Sequence, residues 1–206
     1  MTSGKMNKIK NHSIKALVLL TFLTVLVTVW APVHALDANK PELAELLHQF
    51  EQEKQSTVDF KEEKHAFYLD EPITSSGYLQ FFAPDKLYKF IVKPEKTSQK
   101  LTGNELEIVQ AAQTQIINLN DYPEFSIILR SIISLLSGDL AALKSFFKIT
   151  FESTSSGWTL LLTPHDSHTS NYVASIKMSG NLNKLEKIIV AEPNNDSSIT
   201  HLYNHR

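Results

Sequence analysis

Apolar and polar positions follow two periods along this chain, and the change from one to the other divides it. Leu43, Leu46, Leu47 and Phe50 recur at i, i+3, i+4 and i+7, with Glu42, Glu45 and Glu51 on the other side. That spacing predicts an amphipathic helix over residues 39–55. Pro41 sits in its first turn, where a missing N–H costs nothing. From Thr57 the period drops to two, as Val58 and Phe60 alternate with Asp59 and Lys61. Further short apolar stretches follow at 78–82, 87–92, 99–101, 105–109 and 114–119. Within 87–92, Leu87 and Ile91 face opposite to Tyr88, Phe90 and Val92. Ser75-Ser76-Gly77, Ala83-Pro84-Asp85-Lys86 and Gly103-Asn104 read as turns between these stretches. Turn signals spaced about eight to twelve residues apart indicate an antiparallel meander.

The meander is interrupted once. Asn120-Asp121-Tyr122-Pro123 starts a helix in which Phe125, Ile128, Leu129, Ile132, Ile133, Leu135 and Leu136 cover more than half the circumference. Gly138 ends it, and Asp139 can cap a second short helix, Leu140 to Phe147. Strands are then expected at 149–152, 158–163, 172–178, 184–191 and 198–203, with turns at Ser155-Ser156-Gly157, Ser179-Gly180-Asn181 and Asn194-Asn195-Asp196. The predicted fold is α+β: a single curled antiparallel sheet, an open half-barrel of about ten to eleven strands. An N-terminal helix precedes it, and residues 123–147 form a central helical lid. Strands do not alternate with long helices, which disfavours a parallel doubly wound sheet.

The chain opens differently. Lys5, Lys8, Lys10 and Lys15 precede an apolar run from Ala16 to Trp30, broken by Pro32 and followed by Val33-His34-Ala35. This layout predicts a secretory signal peptide over residues 1–35, cleaved after Ala35, because the run is short for a bilayer span of ~20 residues. Residues 36–206 are then one domain. All four lysines of the leader are lost on cleavage and no acidic residue is, leaving sixteen basic against twenty-two acidic groups. With only Arg130 and Arg206 as arginines, nucleic acid is not an expected partner. The absence of cysteine removes disulfides, thiolate metal sites and cysteine nucleophiles, and leaves the fold to apolar burial alone.

Candidate chemistry is sparse. His165-Asp166-Ser167-His168 gathers two imidazoles and a carboxylate, but a polar loop after Pro164 accounts for them equally well. His201 and His205 fall on a strand and a tail expected to be solvated. The serine pairs precede Gly77 and Gly157 without a G-x-S-x-G elbow, and neither a phosphate-binding loop nor a dinucleotide fingerprint is present. Glu62-Glu63 and Asp70-Glu71 resemble acid pairs, yet neighbours on a strand point to opposite faces. No catalytic residue, metal site or cofactor is assigned, and the protein is not expected to be an enzyme.

A curled sheet must fill its inner face with side chains, a helix or a ligand. The strands here supply Phe60, Leu79, Phe81, Tyr88, Phe90, Trp158, Leu160 and Leu162, and the lid supplies Ile128 and Ile132, as candidate lining of an apolar cavity. Alternation is ambiguous beside adjacent aromatics, so several of the eight strand positions are expected to face outward. A dry core completed by the helices is the other reading of the same stripes.

Several local motifs bear on that choice: Phe60-Lys61-Glu62-Glu63-Lys64, Ser75-Ser76-Gly77-Tyr78-Leu79-Gln80-Phe81, Ala83-Pro84-Asp85-Lys86-Leu87 and Gly103-Asn104-Glu105-Leu106-Glu107-Ile108. Gly138-Asp139-Leu140-Ala141-Ala142-Leu143 and Trp158-Thr159-Leu160-Leu161-Leu162-Thr163-Pro164 follow in the second half. In content and order they resemble the LolA-type periplasmic lipoprotein carriers of Gram-negative bacteria. The resemblance implies a half-closed barrel with helical caps whose interior holds acyl chains of a lipoprotein or glycolipid. It further implies a periplasmic, monomeric carrier serving an inner-membrane donor and an outer-membrane acceptor. A lipid-sensing interaction module and a small hydrolase are the alternatives. One departure stands out: the best-known carriers place a lid-latching arginine directly before the proline of the second hairpin, and this chain has Ala83 there, with Lys86 the nearest cation.

Overall fold

The computed structural model of the chain describes residues 42–206. The expected leader and its cleavage site lie outside the described residues, as does Pro41. Helix α1, Leu43–Gln52, buries Leu46, Leu47 and Phe50, the stripe that the i, i+3, i+4, i+7 spacing marks. Six strands follow: β1 Gln55–His65, β2 Ile73–Phe82, β3 Lys86–Lys93, β4 Thr97–Thr102, β5 Glu105–Gln110 and β6 Gln113–Asn118. Helices α2, Pro123–Leu136, and α3, Leu140–Phe146, interrupt the sheet. Asp139 caps α3 by accepting from the Ala142 N–H at 2.9 Å. The sheet resumes with β7 Phe147–Thr154 and β8 Gly157–Pro164; a helical turn α4, Ser167–Ser170, leads to β9 Ser175–Asn181, β10 Lys184–Ala191 and β11 Ser197–Tyr203.

All eleven strands belong to one antiparallel sheet, in the order β6-β5-β4-β3-β2-β1-β11-β10-β9-β8-β7. Every neighbouring pair is a hairpin in sequence except β1 with β11, which brings the two halves of the chain together. Among the described residues no pairing joins β6 to β7, so the sheet keeps two edges. The fold is α+β, as the patterning predicts, with an N-terminal helix and helices between strands.

Two expected turns are strand instead. Ser75, Ser76 and Gly77 lie inside β2, opposite Glu62, Lys61 and Phe60, and the turn is formed by residues 66–72. A Cβ at Gly77 would stand 1.8 Å from the Phe90 carbonyl oxygen, so this glycine serves a close approach of β2 to β3 at a register shift. Likewise Ser179 and Gly180 belong to β9, and the turn falls at Leu182-Asn183. A Cβ at Gly180 would lie 1.9 Å from the Lys184 carbonyl oxygen. The strand expected from Tyr172 begins at Ser175, because Asp166 caps α4 by accepting from the Thr169 N–H at 2.9 Å, and residues 167–170 turn as a helix.

Apolar burial divides into two clusters. The larger gathers α1, α3 and the strands from β7 to β2, including Phe50, Phe60, Phe147, Trp158, Leu160 and Leu162. The smaller holds Phe81, Leu87, Leu101, Leu106 and Leu119. Ile132 and Leu136 of α2 pack against both. Helix α2 therefore spans the junction, and the space left there is the site described next.

Candidate functional site

Between α2 and the sheet lies a cavity of about 400 Å³, within the ~300–1,000 Å³ usual for small-molecule sites. Strand alternation selects its lining. Val58 and Glu62 on β1, Leu79 and Phe81 on β2, and Leu87 and Lys89 on β3 share one face. Gln99, Leu101 and Leu106 extend the wall on one side, and Ile188, Val190, Ser198, Thr200 and Leu202 extend it on the other. Ile128, Leu129, Ile132 and Leu136 of α2 form the opposite wall.

Helix α2 does not spend its most apolar side on the dry core. Its buried residues are Ser126, Ile127, Ser131, Ser134 and Leu135, and the three serines let it pack closely. Ser131 satisfies its own hydroxyl by donating to the Ile127 carbonyl at 2.6 Å. Ile128, Leu129, Ile132 and Leu136 are only half-buried and face the cavity.

Four of the ten expected lining residues, Leu79, Phe81, Ile128 and Ile132, meet at this cavity. Phe60, Trp158, Leu160 and Leu162 are fully buried in the larger cluster. Trp158 packs edge-on to Phe50 at 5.9 Å and donates its indole N–H to the Leu182 carbonyl at 2.7 Å. Tyr88 and Phe90 do not line the cavity. Phe90 stacks on Tyr78 at 4.7 Å between centroids, and Tyr88 packs beside Phe82 at 5.5 Å. The β2–β3 register explains this: Leu79 pairs with Lys89 and Phe81 with Leu87 on the cavity face, so Tyr78, Phe82, Tyr88 and Phe90 share the other face.

Sequence reasoning missed the polar part of the wall. Lys89 donates to Glu62 Oε2 at 2.8 Å, and Thr200 donates to the same oxygen at 3.1 Å. The Lys89 ammonium also stands 4.8 Å from the centre of the Phe60 ring. Glu62 and Glu63 do part to opposite faces; Glu63 accepts from Lys61 at 2.9 Å, which holds its carboxyl below the usual range. The signal for Lys89 was the parity of Leu87, which an eye for aromatics passes over.

A second polar region borders the cavity where Glu53, Gln55, Asn183, Lys184, His205 and Arg206 gather. His205, expected to be solvated, is half-buried there, and among the described residues its Nε2 is buried without a partner. Burial and the neighbouring Lys184 charge push its imidazole below the usual range, against smaller opposing effects of Glu186 and the Leu185 backbone. Arg206 pairs with Asp59 at 3.0 Å and, with Asn204, holds that carboxyl low. The His165–His168 segment is otherwise engaged: the Asp166 carboxyl is held low by the Thr169 N–H that it caps, and His168 packs edge-on to Tyr172 at 5.6 Å.

The helix is tied to the sheet from its own side. Arg130 Nη2 donates to Asn104 Oδ1 in the β4–β5 turn at 2.6 Å and to Asn120 Oδ1 at 3.3 Å, while Nε donates to Ser126 Oγ at 2.8 Å. Ala83, where the resemblance would place an arginine, offers only its backbone N–H, which donates to the Lys54 carbonyl at 2.9 Å.

Among curated proteins none matches the chain. Solved structures to which the chain is similar include a LolA superfamily protein from Nitrosomonas europaea, 10% identical, covering 78% of this chain and 91% of that one at a TM-score of 0.41. A putative outer membrane lipoprotein-sorting protein domain from Vibrio parahaemolyticus is 9% identical, covers 80% and 90%, and scores 0.42. Pseudomonas aeruginosa MucB, in its complex with MucA, is 9% identical, with 81% of this chain and 57% of that one covered at 0.38. At scores below 0.5 none of these likenesses carries an argument about fold or function. The family profile described as "Outer membrane lipoprotein carrier protein LolA-like" matches residues 31–202, which take in every strand but the last residue of β11 together with both walls of the cavity. On that match the chain belongs to the LolA-like outer membrane lipoprotein carrier family.

Proposed function

We propose that this protein is a non-enzymatic periplasmic carrier, formed by cleavage after Ala35, that shields acyl chains of a lipoprotein or glycolipid and moves them toward the outer membrane. The observation that carries the reading is the cavity of about 400 Å³ between α2 and the sheet, whose helical wall is aliphatic and only half-buried. An exposed chain costs ~0.8 kcal/mol per CH₂ in water, so even ten sheltered methylenes amount to ~8 kcal/mol. Cargo held that firmly leaves only when a membrane or an acceptor replaces the apolar contact. An inner-membrane donor and an outer-membrane acceptor therefore complete the scheme, with the carrier acting as a monomer between them. Among the described residues no helix is long and apolar enough to cross a membrane.

The test is native mass spectrometry of protein purified from periplasm, with lipid extraction of any added mass. The expected result is a chain beginning at Leu36 that carries an acylated molecule. Protein that retains residues 1–35, or that shows neither bound lipid nor displacement of an apolar fluorescent probe by acyl compounds, would overturn the reading.

A further inference from the structure

The cavity wall carries an ion pair where aliphatic side chains would shelter a hydrocarbon better. Glu62 and Lys89 lie on β1 and β3, with β2 between them. Lys89, whose β2 partner is Leu79, reaches Glu62 with its ammonium 4.8 Å from the centre of the Phe60 ring. Both side chains keep about a quarter of their surface exposed, and both line the cavity. Glu62 Oε2 already accepts from Lys89 and Thr200. Among the described residues, Glu62 Oε1 and two of the three Lys89 N–H donors have no protein partner. The wall therefore offers an acceptor and a donor side by side, next to Gln99 and Ser198.

We propose that the Glu62–Lys89 pair is a selectivity site for the head of the acyl cargo, recognising a neutral group that both donates and accepts a hydrogen bond. An N-acyl amide or a glycosidic hydroxyl meets that description. An ester has no donor and leaves Glu62 Oε1 unanswered. A carboxylate or phosphate brings a negative charge against Glu62, whose own charge already neutralises Lys89. The proposal rests on the carrier reading above and names the chemistry of what that cavity accepts.

The experiment measures displacement of an apolar fluorescent probe by four twelve-carbon compounds: N-methyldodecanamide, dodecyl glucoside, methyl dodecanoate and sodium dodecanoate. Wild type should bind the amide or the glucoside about tenfold or more tightly than the ester, and dodecanoate weakest. Whichever of the first two wins names the source of the head group. Glu62→Leu with Lys89→Met replaces the pair by apolar residues of similar size, a change that buried ion pairs usually tolerate. It should bind amide, glucoside and ester alike. Glu62→Gln, which leaves the Lys89 charge unneutralised, should raise dodecanoate above the ester, and it serves alone if the double variant does not fold. Equal binding of all four compounds by wild type, or discrimination that survives in the variants, would overturn the selectivity site and leave the carrier intact. Failure of every compound to displace the probe from wild type would overturn both.

Discussion

If Arg130 is what holds the helical wall over the cavity, replacing it with methionine should loosen α2 without unfolding the sheet. Of its three hydrogen bonds, the one to Ser126 lies within α2 and contributes nothing to docking. The bond to Asn120 is long, at 3.3 Å. The 2.6 Å bond to Asn104 remains, a charged donor on a neutral acceptor at an exposed site. Such bonds are worth ~1.5–3 kcal/mol when sheltered, so ~1–2 kcal/mol is expected here. Ile127 and fully buried Leu135 still anchor the helix at ~1.5–3 kcal/mol each, and Arg130→Met keeps an unbranched stem at that position. Against a total stability of ~5–15 kcal/mol the domain should stay folded.

The population with α2 undocked should therefore rise ~5–30-fold. Hydrogen exchange resolved by segment is the direct assay: amides of residues 126–136 should exchange faster by that factor, with β8 to β11 unchanged. Asn104→Ala should reproduce the effect, and the double variant should add little to either single one, because all three remove the same bond. Exchange in α2 that stays within about twofold of wild type would refute the latch. Equal acceleration in α2 and in β8–β11 would mean that the bond supports the whole fold rather than a lid.

Three further outcomes are expected. Gly77→Ala forces a Cβ to within 1.8 Å of the Phe90 carbonyl and should cost about 3 kcal/mol in chemical denaturation, whereas a loss under about 1 kcal/mol would contradict the close β2–β3 approach. The β5–β6 turn places Ala111 and Ala112 at φ of 47° and 61°, so Ala111→Asn with Ala112→Gly should stabilise by about 1–2 kcal/mol and raise Tm by a few degrees. The unfolded chain binds a proton at His205 more readily than the folded one, because burial lowers the folded pKa below 6.5. Its contribution is therefore fully present above that pH and is lost as pH falls below it, a slope that His205→Gln should flatten between about pH 7 and 5. Losses below about pH 4 should persist in that variant, since Asp59, Glu63 and Asp166 are held low and give up their contribution only there.

The element order was legible because period and punctuation agree along most of the chain: the Leu43–Phe50 stripe, Asp139 before α3, and Gly103-Asn104 between β4 and β5. Where they disagreed, composition misled. Ser-Ser-Gly and Ser-Gly-Asn look like turns, but at Gly77 and Gly180 the missing Cβ answers a carbonyl of the adjacent strand, a close approach that residue type alone does not distinguish from a turn. The real β9–β10 turn instead holds Leu182 at φ 51°, a left-handed position where the sequence would be expected to show Gly or Asn.

The cavity was harder to read than the fold because strand parity decides which side chains reach its walls. Residues 78–82 and 87–92 carry Tyr78, Phe82, Tyr88 and Phe90 on one face and Leu79, Phe81, Leu87 and Ile91 on the other, and the larger side chains of the first face stand out in the sequence. Yet Tyr78 stacks on Phe90 and Phe82 packs beside Tyr88 across β2 and β3, on the face turned away from the cavity. The other face carries Leu79, Phe81, Leu87 and the one cation that reaches Glu62 among the described residues. The same logic applies to the latch. The residue before Pro84 on the sheet side is Ala83, whereas Arg130 ties α2 to the sheet from the helix, through an asparagine at a hairpin tip. A bond between two elements can be anchored from either one, so the position before Pro84 does not decide whether helix and sheet are tied, and only the packed structure sets Arg130 against Asn104.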